Sequence, residues 1–468
     1  MITIKPYMHS ITFLLMIFLV SSCSEDTKLE NDPFVIAFES LSKNLINIKD
    51  KDTISLVYSD IAYETGTVII EIDDINAIYG IDYTTKPEAS NHIITLSINA
   101  GENTNTIIFN KLNPLIDETT SIALDIKSIN HSNSSIQGNS SFLLNASASL
   151  GSSIKPNVGG PNQGYQVFID LSSESSTAIQ RDSWDLGFYS GDNFRVTINS
   201  SIYMATAQLL GFTDIDTVTQ NDVSGLQGQV AVGTFNPENT AYIDAPNGNI
   251  LETAINEVSE IEEENKVYLV NLGYEIGTDT PTIGSAAITG PHRGWKKIRI
   301  LKKEDKYLLQ YADIDDTTHQ EITISKNSNY NFSFFSFNTN TVVSVEPEKE
   351  QWDISLTVFT NIIEGAGSYG YSDFVTHNSK GATLAYMLKT STTNYTEFAL
   401  SNVDYNLFSD NQTIIGANWR DVFSGTPYND RFFIIQDPNE NIYKLNFLAL
   451  TNSNGERGYP EFEYELLQ

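Results

Sequence analysis

Cysteine, positive charge and helical periodicity are scarce in this 468-residue chain. A single cysteine excludes an intramolecular disulfide, a Cys-x-x-Cys pair and a cysteine zinc site. Only 27 Lys and Arg stand against 59 Asp and Glu, a formal charge of −32. Nucleic acid is held by clustered cations that neutralise phosphate, so this balance argues against it as a partner. The apolar run at residues 11–20 is too short for a membrane span, which takes about 20 apolar residues. Enzyme signatures are missing too: there is no HExxH, no Walker A loop and no GxSxG elbow. Gly365-Ala366-Gly367-Ser368-Tyr369-Gly370 fits a dinucleotide loop by letter, but strand-like residues 371–375 follow where a helix must begin. Asp313, Asp315 and Asp316 open like a calcium loop, and Thr318 then stands where that loop needs glycine. The chain reads as a binding protein rather than an enzyme.

What is present begins with the lone cysteine. Lys5 precedes the apolar run, which has the length of a secretory signal core. The run ends in Val20-Ser21-Ser22-Cys23, which resembles a bacterial lipobox. That resemblance implies that residues 1–22 are a signal peptide, that Cys23 is lipidated, and that residues 23–33 are a tether. Ser24-Glu25-Asp26 is similar to the acidic tag of surface-exported lipoproteins, which implies an outer-membrane lipoprotein facing the cell exterior, anchored by its acyl chains.

Beyond the tether, 40% hydrophobic and 11% aromatic residues are too many for a disordered acidic chain. Ser, Thr, Asn, Ile, Val, Tyr and Phe alternate in short runs broken by Gly, Asn, Asp and Pro, the pattern of an all-β protein. Residues 67–72, 93–98 and 266–271 are typical expected strands. Residues 255–265, rich in glutamate, are expected to form a short helix or an acidic loop. A Gly-, Ser- and Pro-rich stretch at 149–161 predicts a linker. It separates a region of residues 34–148 from a longer one.

The first region carries Gly80-Ile81-Asp82-Tyr83, Ile98-Asn99-Ala100-Gly101-Glu102-Asn103-Thr104 and a final strand from Ser121. In order and spacing these resemble a Calx-beta domain, which implies an immunoglobulin-like sandwich. Some Calx-beta domains bind calcium, and the carboxylates that could do so here are Asp73, Asp74, Asp82, Asp117 and Glu118. A spacer that lifts the rest of the chain off the membrane is the simpler reading.

The second region repeats itself. Ser183-Trp184-Asp185-Leu186-Gly187-Phe188 returns as Gln351-Trp352-Asp353-Ile354-Ser355-Leu356. Each is followed by a strand, an Asn-containing turn and a Tyr-Met pair, Tyr203-Met204 and Tyr386-Met387. Each also closes with a hairpin, residues 298–311 in one copy and 432–447 in the other. Two tandem units are expected, 162–318 and 319–468, the first with an extra loop near 213–262. In the second, Tyr330-Asn331-Phe332-Ser333-Phe334-Phe335, Trp352-Asp353 and Arg431-Phe432-Phe433-Ile434-Ile435 resemble the HmuY family, surface lipoproteins that bind heme and pass it to a TonB-dependent outer-membrane receptor. The resemblance implies two antiparallel HmuY-like units and heme as ligand.

Heme iron takes His, Met, Cys or Tyr as axial ligands. Well-known relatives carry a histidine just after Trp-Asp, where this chain has Phe188 and Tyr189, or Leu356 and Thr357. Of five methionines only Met204 and Met387 lie beyond the signal, so they are the iron candidates. Tyr203, Tyr386, Phe188 and Tyr189 are expected to pack the ring, and His377 is a further candidate in the loop that could hold Met387, with an exposed loop histidine as its simpler reading. His292 and His319 read as loop residues. The cations Lys296, Lys297, Arg299, Lys302 and Lys303 would be split between two faces by strand alternation. The alternative is a surface adhesion or glycan-binding module whose aromatics stack on sugar.

Overall fold

The computed structural model describes residues 33–45, 48–114, 119–145 and 149–467. The expected signal peptide and the expected lipidation at Cys23 lie outside these residues, as do Asp117 and Glu118. The described chain is all-β, built from antiparallel sheets with short helical turns between them.

Residues up to 145 supply ten strands. They are β1 (Phe34–Phe38), β2 (Ser42–Asn44), β3 (Lys51–Tyr58), β4 (Gly66–Ile75), β5 (Tyr83–Lys86), β6 (Ile93–Ile98), β7 (Thr104–Lys111), β8 (Ser121–Asn130), β9 (Ser134–Ser135) and β10 (Ser141–Asn145). Two five-stranded sheets, β5-β7-β3-β1-β9 and β2-β10-β8-β4-β6, face each other. Side chains alternate across a strand, so Val68, Ile70 and Ile72 of β4 enter the core with Ile94, Leu96 and Ile98 of β6, while Glu71 and Asp73 face water.

The expected linker is in part a strand. β11 (Gly151–Ile154) pairs with the last strand of the chain, β32 (Arg457–Leu466). Ser152, Ser153 and Ile154 can all extend a ladder, and Pro156 then ends it, so only the Gly-Pro segment beyond behaves as a connection.

The repeat region begins with the hairpin of β12 (Tyr165–Asp170) and β13 (Ser175–Gln180), then β14 (Leu186–Tyr189) and β15 (Val196–Ile198). Next come β16 (Ala205–Leu209), β17 (Val267–Asn271), the small pair β18 (Tyr274–Ile276) and β19 (Thr289–His292), β20 (Trp295–Lys303), β21 (Lys306–Ala312) and β22 (Gln320–Ser325). The second copy opens with the hairpin of β23 (Phe332–Ser336) and β24 (Thr341–Val343), then the long pair β25 (Ile354–Ile363) and β26 (Gly367–His377). It continues with β27 (Leu384–Lys389), the short β28 (Arg420–Asp421) and β29 (Thr426–Pro427), β30 (Arg431–Gln436), β31 (Ile442–Thr451) and β32.

These strands make four layers. The outer sheets are β16-β17-β20-β21-β22 and β27-β30-β31-β32-β11, and the inner ones are β15-β14-β23-β24 and β26-β25-β12-β13. The copies therefore exchange hairpins. The first copy's β12 pairs with β25, and the second copy's β23 pairs with β14. Phe335 of β23 packs with Leu186 and Tyr311 against the first outer sheet, and Ile169 of β12 packs with Ile354 and Phe433 against the second.

Sheet order also corrects the matching of the repeats. The hairpin β20–β21 corresponds to β31–β32, one strand later than the similarity of β30–β31 suggests, because both outer sheets are filled in the same order. The long loop is a feature of both copies, residues 210–266 in the first and 390–430 in the second, each covering the outer face of its sheet through apolar residues such as Val218 and Phe398. Residues 255–265 are a loop with one tight helical turn at Glu262–Glu264. Gly365 and Gly367 lie at the β25–β26 turn with φ of 75° and 89°, a left-handed backbone that glycine adopts without strain.

Candidate functional site

The Trp-Asp repeat organises the centre of the molecule. Asp185 donates its N–H to the carbonyl of Phe335 (2.8 Å), and its carboxylate accepts the N–H of Phe337 (2.6 Å). Asp353 does the same to the other hairpin, giving its N–H to Ile169 (2.8 Å) and accepting that of Leu171 (2.8 Å). Each aspartate thus holds the hairpin that the other copy contributes. The copies differ in charge. Burial raises the pKa of Asp185, and its buried partner Arg293 at 2.6 Å offsets part of that rise. Among the described residues no cation pairs with Asp353, and burial beside Asp170 and Asp437 raises its pKa well above the carboxylate range.

The turn after each strand is equally matched. Asn199 and Asn378 donate from Nδ2 to the carbonyls of Trp184 (2.8 Å) and Trp352 (3.0 Å) and cap single helical turns. Those turns end at Tyr203 and Ala382, both in the left-handed region with φ of 64° and 73°. The equivalence corrects the Tyr-Met match: Tyr203 corresponds to Ala382 and Met204 to Thr383, whereas Tyr386 and Met387 lie further along, inside β27.

Between the inner sheets lies a cavity of about 160 Å³, and about 1100 Å³ of empty space when its open mouth is counted. Its floor is aromatic: Trp184 meets Phe334 edge-on at 4.8 Å between centroids, and Trp352 meets Phe168 in the same way at 5.0 Å. Met204 and His377 also line it, both fully buried. A strap from the first copy's loop, residues 243–250, forms its roof. Gln412 holds that strap, giving Nε2–H to the carbonyl of Pro246 (2.9 Å) and N–H to that of Asn247 (3.0 Å), and Lys380 donates to the carbonyl of Gly248.

The cavity's polar groups are unusual for a protein interior. Burying a donor without a partner costs about 1–3 kcal/mol. Yet the indole N–H groups of Trp184 and Trp352, the Thr357 hydroxyl and the Gln166 side-chain carbonyl are all buried here without a hydrogen-bond partner among the described residues. Burial, with a smaller contribution from Lys380, lowers the His377 pKa to about 4, so its imidazole is neutral at neutral pH. Burial also pushes Glu346 up to about 8 and Asp244 up to about 6, although Asp244 accepts N–H groups from Ile198 and Ala254, both at 2.9 Å. Lys380, desolvated, falls to about 8.

The other expected ligand-packing residues stand elsewhere. Phe188 is in the core of the first copy, edge-on to Tyr307, because even and odd positions of β14 face opposite ways. Tyr189 ends β14 opposite Phe332, and Tyr386 packs on Phe408 beyond the second outer sheet. Met387 sits opposite Phe433 in that sheet, and the Tyr203 ring is seated on Gly370. The sequence singles out Met204 and His377 but not Phe168, Phe334, Glu346 or Lys380, for which the neighbouring Trp-Asp repeat is the signal. The cation cluster does split: Lys297 and Arg299 are buried, giving hydrogen bonds to backbone carbonyls, while Lys296 and Lys302 pair with Asp313 and Glu260.

In the N-terminal sandwich Asp74 accepts from Tyr83 (2.7 Å) and Asp82 from Asn113 (2.9 Å), while Asp73 points to the opposite face of β4 from Asp74. Among the described residues no group of three His, Cys, Asp or Glu could hold a metal ion, and no helix is long and apolar enough to cross a membrane.

Comparison with known proteins gives one strong result. The family model described as HmuY protein matches residues 162–315 and 328–464. No curated protein matches the sequence. Among solved structures, the apo Calx CBD1 domain is 13% identical, covering 24% of this chain and 96% of its own, with a TM-score of 0.19. A two-domain protein of unknown function from Bacteroides fragilis is 10% identical over 66% of this chain and 91% of its own, with a TM-score of 0.20. A protein from Bacteroides ovatus, proposed to bind carbohydrate, is 10% identical over 73% of this chain and 97% of its own, with a TM-score of 0.15. At those TM-scores none of the three bears on function.

Proposed function

The chain belongs to the HmuY family, and from that membership we propose that it captures heme in the cavity between its exchanged inner sheets. The observation that carries this reading is the aromatic cavity itself, whose lining includes both tryptophans of the repeat, the fully buried Met204 and the buried, neutral His377. Imidazole and thioether are both axial ligands for heme iron, and apolar walls with a few placed polar groups are what a flat ligand requires. Lys380, also in the lining, supplies a positive charge to a cavity that would hold an anionic ring. The mechanism is capture without covalent chemistry. Delivery to a TonB-dependent receptor, from a lipid anchor at Cys23 on the outer membrane, completes the proposal; the family and the lipobox-like Val20-Ser21-Ser22-Cys23 support it.

Titration of the full chain with heme, followed by absorbance, tests the reading. A saturable shift of the Soret band at micromolar heme is expected, and no shift overturns it. His377→Ala should alter the bound spectrum and weaken binding by at least about tenfold, and Met204→Ala should alter the spectrum if sulfur is the second ligand. Unchanged spectra in both would remove these residues from the iron.

A further inference from the structure

The exchange of hairpins places the two tryptophans at equivalent positions of two sheets that face one cavity. Trp184 is 9% exposed and Trp352 8%, both indoles line the cavity, and neither N–H reaches an acceptor in the protein. The other buried tryptophan shows what the fold does with an indole it can satisfy: Trp419, 1% exposed, donates to the carbonyl of Asp373 at 3.0 Å. Two unsatisfied donors, matched by the internal symmetry, cost the apoprotein stability that a ligand with two oxygen acceptors recovers on binding.

We propose that Trp184 and Trp352 are paired specificity donors, one on each sheet, that select a tetrapyrrole carrying two free carboxylates over the same ring with those groups blocked. This rests on the heme-binding reading above and names the part of the ligand that the two sheets recognise. Hydrogen bonds to a charged acceptor are stronger than those to a neutral ester. The local charge permits it. Glu346, on the same wall, is held largely protonated at neutral pH, and the Asp244 carboxylate is occupied by two backbone N–H groups, while Lys380 provides a cation. Because one donor comes from each copy, neither copy alone would hold both carboxylates.

The test uses metal-free protoporphyrin IX and its dimethyl ester, so the result does not depend on any iron ligand. Each is titrated into the full chain and into Trp184→Phe and Trp352→Phe, which keep an aromatic ring and remove the N–H. The wild type should prefer the diacid, and each variant should narrow that preference by about tenfold, because a general loosening of the cavity weakens both ligands alike. In ¹⁵N-labelled wild-type protein, hydrogen exchange at the Trp184 and Trp352 indoles should slow when the diacid binds, with Trp419 unchanged as internal control. An unaltered preference in both variants, or unaltered indole exchange with porphyrin bound, overturns the assignment and leaves porphyrin binding standing. Failure of the wild type to bind either porphyrin overturns both.

Discussion

At the scale of single residues the two copies of Trp-Asp have diverged while keeping one job. Asp185 and Asp353 both tie down an exchanged hairpin, but only Asp185 has a buried arginine to meet its charge. Removing one partner of a buried pair leaves the other uncompensated, at about 3–5 kcal/mol. Asp185→Asn should therefore lower the free energy of unfolding by about that amount at neutral pH, as read from urea denaturation. Asp353→Asn should cost no more than about 1 kcal/mol, since it leaves no buried cation unpaired among the described residues. Equal losses in the two variants would show that the arginine does not distinguish them. The residue scale is also where the sequence was most informative about the site. Met204 stands out by scarcity, whereas His377, which reads as a loop residue, is the buried last residue of β26. Met387 stood out for the same reason as Met204, and only strand register separates them, four residues out of phase relative to the capped turns.

At the scale of elements the decisive feature is the reciprocal pairing of β12 with β25 and β23 with β14. It explains why Trp-Asp recurs: the motif is the clasp at which one copy's hairpin enters the other's sheet. The chain crosses between copies at the exposed turn of Ser328 and Asn329, between β22 and β23. A protease site inserted there should be cut without separating the halves, because each keeps a hairpin in the other's sheet. The fragments should elute together in native size-exclusion chromatography and part only in denaturant. Independent elution under native conditions would contradict the exchange. Alternation of apolar and polar residues made most strands legible, including β6 at Ile93–Ile98. Their partners were not legible, since a strand with two apolar faces, such as the wholly buried β17, fits any inner position of a sheet.

At the scale of the whole molecule, the central cavity leaves titratable groups buried along its walls, and they should dominate the dependence of stability on pH. Glu346 is raised to about 8, so between the pKa of the unfolded chain and that value the native state holds a proton the unfolded state has lost. Stability should fall as pH rises through this window, at up to about 1.4 kcal/mol per pH unit for one proton. His377 acts in the opposite sense. Its pKa is lowered to about 4, so stability is lost as pH falls from about 6.5 towards that value. Melting temperatures of the wild type and Glu346→Gln, measured from about pH 5 to 8, should converge at the acid end and separate at the alkaline end, the variant being the more stable. Parallel profiles would mean that Glu346 titrates as an exposed carboxyl does. The formal charge of −32 bears on this little, because it is spread over the surface and screened by salt, whereas these groups are desolvated.

The sequence by itself determined the all-β class, the tandem repeat and its family, because period-two alternation and recurring short motifs are local and survive without knowledge of contacts. It also marked the tryptophans that anchor the centre. Only the tertiary structure decided which copy each hairpin belongs to, that Met204 and His377 share one cavity while Met387 does not, and that two indole donors are left unpaired within it. Those facts depend on which strand lies beside which and on what remains within hydrogen-bonding distance after packing, and neither is written in residue order.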